Sequence, residues 1–181
     1  MIRVSRAAGL LLCVLGACAH VPPPLEKPEA KNAISLSGRV SVHQEDKNFS
    51  GQFQWVSSNG RDEILLTDPL GQGVARVVRD EKEATLQLPD GRQQTAPDVD
   101  ALTEKVLGFR LPLAGMGYWI TARPDPLQPS QLARNDSGQV TSISQDGWKI
   151  DYLSYAEDRP KKLLITRETL EIKLIVDHWE P

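Results

Sequence analysis

Thiols are scarce in this chain of 181 residues: the two cysteines, Cys13 and Cys18, both fall within the first eighteen positions. Everything after Cys18 is free of sulfhydryls, so the body of the protein holds neither a disulfide nor a thiolate metal site. Histidine is nearly as rare. His20 sits in a proline-rich stretch, His43 at a strand end and His178 in the last strand, so no metal set converges in sequence. The apolar run from Ala7 to Ala17 falls short of the roughly 20 residues a membrane-spanning helix needs. There is no excess of positive charge either: 21 Lys and Arg stand against 24 Asp and Glu, a formal net of −3. A mildly acidic protein is a poor partner for nucleic acid, whose binding rests on cationic contacts to phosphate, and it gains nothing from attraction to anionic lipid. No nucleophile elbow, zinc helix or phosphate loop is present. Gly71-Gln72-Gly73 lacks the third glycine and following helix of a dinucleotide site and reads as turn chemistry. No catalytic residue, metal ligand or cofactor site is assigned, and the expectation is a protein that is not an enzyme.

What is present begins at the N-terminus. Arg3 and Arg6 precede the apolar run, and small residues lead up to Cys18, the pattern of a secretory signal peptide. Leu15-Gly16-Ala17-Cys18 resembles a lipobox, the site read by bacterial lipoprotein signal peptidase. That resemblance implies cleavage before Cys18, a diacylglycerol thioether on its sulfur and an acyl chain on the new amino terminus. Two or more acyl chains hold a protein on a bilayer stably, whereas one alone is marginal. In such lipoproteins an aspartate after the cysteine signals retention in the inner membrane; Ala19 stands there instead and favours the outer one. Removal of residues 1–17, which carry two arginines and no acid, leaves 19 bases against 24 acids, a net of −5. Ala19 to Asn32, with Val21-Pro22-Pro23-Pro24 and Pro28, has the character of an extended tether. At about 3.1 Å per residue it reaches roughly 40 Å. Three parts follow: a signal peptide over 1–17, a lipidated N-terminus with its tether over 18–32, and one folded domain over 33–181.

Within the domain, Ile34, Leu36, Gly38, Val40 and Val42 alternate with polar residues, as do Phe49, Gly51, Phe53 and Trp55, the period of half-buried strands. Asn59-Gly60 marks a turn. Further strands are expected at Ile64–Thr67, Val74–Val78 and Ala84–Leu88, before a turn at Pro89-Asp90-Gly91. The period then changes. Val99, Leu102 and Val106 predict a helix of about ten residues with Asp98 as N-cap and Gly108 at its end. Leu113–Ile120 predicts a shorter second one, weakened by Gly115 and Gly117, and Pro124, Pro126 and Pro129 predict a loop. Strands resume near Val140–Ser144, at Trp148–Tyr152, Lys162–Thr166 and Glu171–Trp179. Strands, helices, then strands define an α+β fold: a curved antiparallel sheet with helices on one face. Asp98 and Asp100 read as helix N-terminal charges and Asp62 with Glu63 as a solvated face. Leu70 is an oddity, a large aliphatic residue inside the polar turn Asp68-Pro69-Leu70-Gly71-Gln72; it either folds back to plug the core or projects as an apolar finger.

In order and spacing these segments resemble the outer-membrane lipoprotein receptor LolB family. The resemblance runs through Gly38-Arg39-Val40, Gly51-Gln52-Phe53-Gln54-Trp55, Ile64-Leu65-Leu66-Thr67-Asp68-Pro69-Leu70-Gly71, Leu107-Gly108, Leu111-Pro112-Leu113 and Tyr118-Trp119-Ile120. It continues in Gly147-Trp148-Lys149-Ile150-Asp151-Tyr152 and closes with Ile172 to Trp179. It implies a half-open antiparallel β barrel covered by helices and enclosing an apolar cavity. It also implies a monomeric receptor that accepts lipoproteins from the periplasmic carrier LolA and delivers their acyl chains to outer-membrane phospholipid. The family's protruding loop leucine matches Leu70. Asp68 departs from the Asn expected there, and the stretch before Pro160 is short for the family. Leu36, Val40, Phe53, Trp55, Leu86, Ile150, Leu174 and Val176 are the candidate cavity lining; helices that fill the cup completely are the competing reading for each. A module for another lipid or amphiphile and a structural envelope lipoprotein remain the alternative functions. One prediction follows from the lipobox alone: Cys18→Ala is expected to abolish incorporation of labelled palmitate and to leave the chain uncleaved at residue 18.

Overall fold

The computed structural model describes residues 23–25 and 33–180. Eleven strands form one antiparallel sheet: β1 (Ile34–Gln44), β2 (Lys47–Ser58), β3 (Arg61–Thr67), β4 (Gly73–Arg79), β5 (Ala84–Gln87), β6 (Gln93–Ala96), β7 (Ser130–Arg134), β8 (Val140–Gln145), β9 (Trp148–Ala156), β10 (Arg159–Arg167) and β11 (Leu170–Glu180). Two meanders, β1–β6 and β7–β11, join where β1 pairs with β11, in the spatial order β6-β5-β4-β3-β2-β1-β11-β10-β9-β8-β7. The sheet is open, with β6 and β7 as its edges. Helices α1 (Val99–Leu107) and α2 (Leu113–Trp119) lie in the connection between those two edges.

Antiparallel pairing puts alternate residues on one face, and the register aligns the apolar ones in rows. One row runs Leu86, Val77, Ile64, Trp55, Leu36 across β5 to β1. Another runs Ile143, Ile150, Ile165, Ile172, Val42 from β8 to β1. Their side chains are buried in one cluster with Val99 and Leu102 of α1 and Leu113, Met116 and Trp119 of α2. The helix-bearing face is therefore the core of the molecule.

Two glycines permit the close approach of strands on that face. A Cβ on Gly38 would lie 2.0 Å from the Ile175 carbonyl oxygen, and one on Gly51 would lie 2.0 Å from that of Thr67. The β1–β11 register shifts between Ser37 and Gly38, an irregularity that bends the strand where no side chain obstructs it. Asn59 and Gly60, both at positive φ, make the tight β2–β3 turn that their sequence predicts.

Helix α1 starts and stops as expected: the Asp98 carboxylate accepts the Asp100 and Ala101 N–H groups, and Gly108 adopts the left-handed conformation at φ 85°. In α2, Gly115 proves to be a seat for its own helix's tryptophan. A Cβ there would fall 2.4 Å from the Trp119 ring.

Three elements differ from the sequence-based expectation. Strands β6 and β7 lie in stretches to which the sequence assigned no element, because these short, polar edge strands have one partner each and little apolar face to display. Asp62 belongs to no solvated face: only 5% exposed, it accepts Trp55 Nε1 at 3.2 Å and pairs with the Arg79 guanidinium. Glu63 pairs with Arg76 at 3.1 Å. Before Pro160 the chain makes a tight β9–β10 turn with Glu157 at positive φ.

Two stability predictions follow. Gly38→Ala must force β1 away from β11 and is expected to cost about 1–3 kcal/mol in denaturant unfolding, more than an alanine at any solvent-facing strand position. Asp62→Ala leaves a buried indole N–H and a guanidinium without their acceptor and is expected to cost about 2–3 kcal/mol in the same measurement.

Candidate functional site

The eight candidate lining residues share one face and touch through register. Trp55, Leu36 and Leu86 lie in the first row already described and Ile150 in the second. Val40 pairs with Leu174, while Gly38 stands between Phe53 and Val176. All eight are buried and belong to the same cluster as the helix side chains. Leu113, Met116, Trp119 and Ile120, in and just after α2, are buried in that same cluster.

A few polar contacts hold that layer in place. Lys47 Nζ donates to the Gly108 carbonyl at 2.8 Å and ties the end of α1 to the start of β2. The Leu111 N–H donates to Thr103 Oγ1 at 3.0 Å. Trp119 Nε1 donates to Gln145 Oε1 at 2.9 Å, and the Tyr152 hydroxyl donates to the Trp119 carbonyl at 2.7 Å. Burial raises the Tyr152 hydroxyl pKa, so it stays a neutral donor. Asp100 is unusual. Burial first, and repulsion from Asp98 second, push its carboxyl up to about 6, against the opposing pull of Arg110. Its Oδ1 is buried without a hydrogen-bond partner.

The β3–β4 turn resolves the choice left open for Leu70. Its side chain is 84% exposed, so it does not plug the core. The turn beneath it is built, not slack. Asp68 Oδ1 accepts the N–H groups of Leu70 and Gln72, both at 2.9 Å, while the Asp68 N–H donates to the Gln72 carbonyl at 2.8 Å. An acceptor is what this geometry requires at position 68, and a carboxylate supplies it as an Asn side chain would. Leu127, in the loop before β7, has the same 84% exposure. Sequence reasoning passed over it because three prolines marked the segment simply as loop.

Cys18 lies outside the described residues. Of the stretch read as tether, Pro23–Leu25 rests on the outer face of the sheet: Arg76 Nη2 donates to the Pro23 carbonyl at 3.0 Å and the Leu25 N–H donates to Gln54 Oε1 at 3.1 Å. Leu65, whose side chain points to that outer face, is buried there, and Pro23 and Leu65 line one groove. Among the described residues no group of three His, Cys, Asp or Glu side chains could hold a metal ion, and no helix is long and apolar enough to cross a membrane.

The open antiparallel sheet with two short helices between its edges has a counterpart among solved structures. A crystal structure of a LolA superfamily protein from Nitrosomonas europaea superposes with a TM-score of 0.53, covering 82% of this chain and 85% of that one at 9% identity. Sequence narrows the class further. The family model described as outer membrane lipoprotein LolB matches residues 32–179. The outer-membrane lipoprotein LolB of Thiobacillus denitrificans is 48% identical over 177 residues, 94% of either chain. Those of Cupriavidus pinatubonensis and Chromobacterium violaceum are each 34% identical, covering 94% and 99% of this chain and 94% and 100% of their own. The chain belongs to the LolB family.

The Asp100 carboxyl gives a pH signature. Its pKa is raised in the fold, so its contribution to stability is complete below the ordinary value of 3.8 and is lost as pH rises through about 6. Asp100→Asn is expected to unfold at a higher temperature than the parent at pH 7.5, with the gap closing towards pH 4. A gap that stays constant across that range would contradict the assignment.

Proposed function

We propose that this protein is an outer-membrane lipoprotein receptor, anchored through lipid on Cys18 and facing the periplasm. It accepts lipoproteins from the carrier LolA and passes their acyl chains to the membrane. The reading is supported above all by one observation: rows of apolar side chains, from β5 to β1 and from β8 to β1, are buried in one cluster with side chains of two short helices.

On this reading the sheet is a half barrel and the buried helix side chains stand in for cargo. Leu36, Val40, Phe53, Trp55, Leu86, Ile150, Leu174 and Val176 are the wall that acyl chains meet once α1 and α2 swing outward. Exchange of one apolar surface for another costs little, because neither the wall nor the cargo has to be exposed to water for long. Opening gives up the Lys47–Gly108, Trp119–Gln145 and Tyr152–Trp119 hydrogen bonds, each worth about 1–2 kcal/mol net. The barrier is thus set mainly by repacking the cluster.

Energetics limit how much cargo the cup can hold. Three acyl chains carry on the order of 40 methylenes, which at about 0.8 kcal/mol each gives roughly 30 kcal/mol. Non-covalent binding saturates near 18–21 kcal/mol, so a receptor that buried every methylene would not release them. Partial burial follows. Transfer from an apolar cup to a bilayer changes the surroundings of a chain little, and direction comes from rising affinity, carrier below receptor below membrane. No ATP is needed and no catalytic group is required.

Leu70 serves the last step. Insertion of one leucine contributes roughly 1.5–3 kcal/mol, too little to anchor the protein but enough to orient a domain already tethered. In a reconstituted assay, a Cys18→Ala form is expected to accept labelled lipoprotein from loaded LolA. Leu70→Glu is expected to accept cargo equally but to release it into liposomes at least tenfold more slowly. A folded domain that takes no cargo from the carrier would sink the receptor reading. Equal competition by free lipid would redirect it towards a general amphiphile carrier.

A further inference from the structure

Leu127 shares more with Leu70 than its exposure. Both follow the same tripeptide, Asp68-Pro69-Leu70 and Asp125-Pro126-Leu127. In both, the aspartate Oδ1 accepts the N–H of the leucine two residues on, at 2.9 Å. In both, the leucine side chain is 84% exposed.

Topology puts them at the same end of the sheet. The direction of successive strands alternates across the sheet, so the turns β1–β2, β3–β4, β5–β6, β8–β9 and β10–β11 and the lead-in to β7 all lie at one end. Leu70 is in the β3–β4 turn and Leu127 is in the lead-in to β7. The other tips at that end are polar, with Glu45, Asp46, Asp90, Asp146 and Glu168 on them. At the opposite end, the turns at Asn59-Gly60, Asp80–Lys82, Asp136–Gly138 and Glu157-Asp158 present no large apolar side chain. Both fully presented leucines therefore face one way.

The second loop is also held rigidly. Gln145, only 4% exposed, accepts the Asp125 N–H at 2.9 Å and donates to the carbonyls of Asp125 and Gln128 at 2.9 and 3.0 Å. A buried amide is costly unless it is fully bonded, and this one spends three of its four bonds on the loop. The fourth goes to Trp119 of α2. A leucine on a loose tip would retreat to cover itself; this one is kept out.

We propose that Leu127 is a second membrane-contact point, inserted into the bilayer together with Leu70. This rests on the reading of Leu70 as a membrane finger. One inserted side chain leaves the domain free to pivot around it. A second on the other half of the sheet, beside the edge strand β7, fixes the tilt and brings the same end of the apolar face down onto lipid at two points. The acidic tips between the leucines set the surface: zwitterionic phospholipid is favoured and anionic lipid is repelled at low salt.

The sequence makes the test clean, because after processing the only cysteine is Cys18, whose sulfur is alkylated. Leu127→Cys, Leu70→Cys and, as control from the opposite end, Ser137→Cys are each labelled with an environment-sensitive fluorophore. Each full-length lipidated protein is then reconstituted in phosphatidylcholine vesicles, with and without bromolipid. The expected result is a blue shift and bromolipid quenching at positions 70 and 127 and neither at 137, with both signals weakened when phosphatidylglycerol is added at low salt. Quenching at 70 with a water-like spectrum at 127 overturns the second contact and leaves the finger reading intact. A water-like spectrum at both overturns both. A shift at 127 that needs LolA and shows no bromolipid quenching assigns the loop to a protein interface and equally overturns the proposal. Leu127→Glu should in addition lower the rate of cargo release into phosphatidylcholine vesicles by roughly tenfold, the scale of losing one inserted leucine.

Discussion

The structure depends on covering one apolar face without closing the sheet that carries it. Nine of the eleven strands, β1 to β5 and β8 to β11, present rows of Leu, Ile, Val, Phe and Trp on one side, and the polar β6 and β7 form the two edges. A closed barrel would bury such a face against itself; an open sheet needs a separate cover. The connection between the two edge strands carries α1 and α2, whose apolar side chains share one buried cluster with that face. The same arrangement that satisfies the hydrophobic requirement of folding leaves a layer joined to the sheet mostly by side-chain packing. For the proposed acyl-chain transfer, that weakness is the useful property.

The polar groups inside the molecule are placed consistently with this division. Asp62 holds Trp55 and Arg79 within the β1–β6 meander, where nothing in the proposed mechanism has to move. Gln145 and Tyr152 instead reach from β8 and β9 to α2, and Lys47 reaches to the end of α1. The first kind of contact consolidates the sheet. The second kind ties the two helices to the sheet.

Much of this was legible in the residues. Period-two alternation, together with short apolar runs between turn signals, located nine of the eleven strands, and Asp98 and Gly108 located the ends of α1, because each of those features follows from local backbone geometry. The eight candidate lining residues were chosen through the same alternation, and they share one face because register preserves it. The misses have a common cause. Gln93–Ala96 and Ser130–Arg134 become strands by pairing with a neighbour, which composition does not announce. Asp62 was read as solvated because its partners, Trp55 and Arg79, come from adjacent strands. The exposure of Leu70 could not be separated from plugging without coordinates, since both outcomes use the same turn residues. Leu127 had a usable signal in the repeated Asp-Pro-Leu.

The contact of Pro23–Leu25 with Gln54 and Arg76 shortens the leash. For a chain anchored at Cys18, a contact with the sheet comes five residues on, at Pro23, well before the fourteen-residue stretch from Ala19 ends at Asn32. At about 3.1 Å per residue this is roughly 15 Å in place of 40. The volume in which the domain roams over its membrane shrinks by more than about tenfold, and the effective concentration of its exposed leucines at the lipid surface rises in proportion.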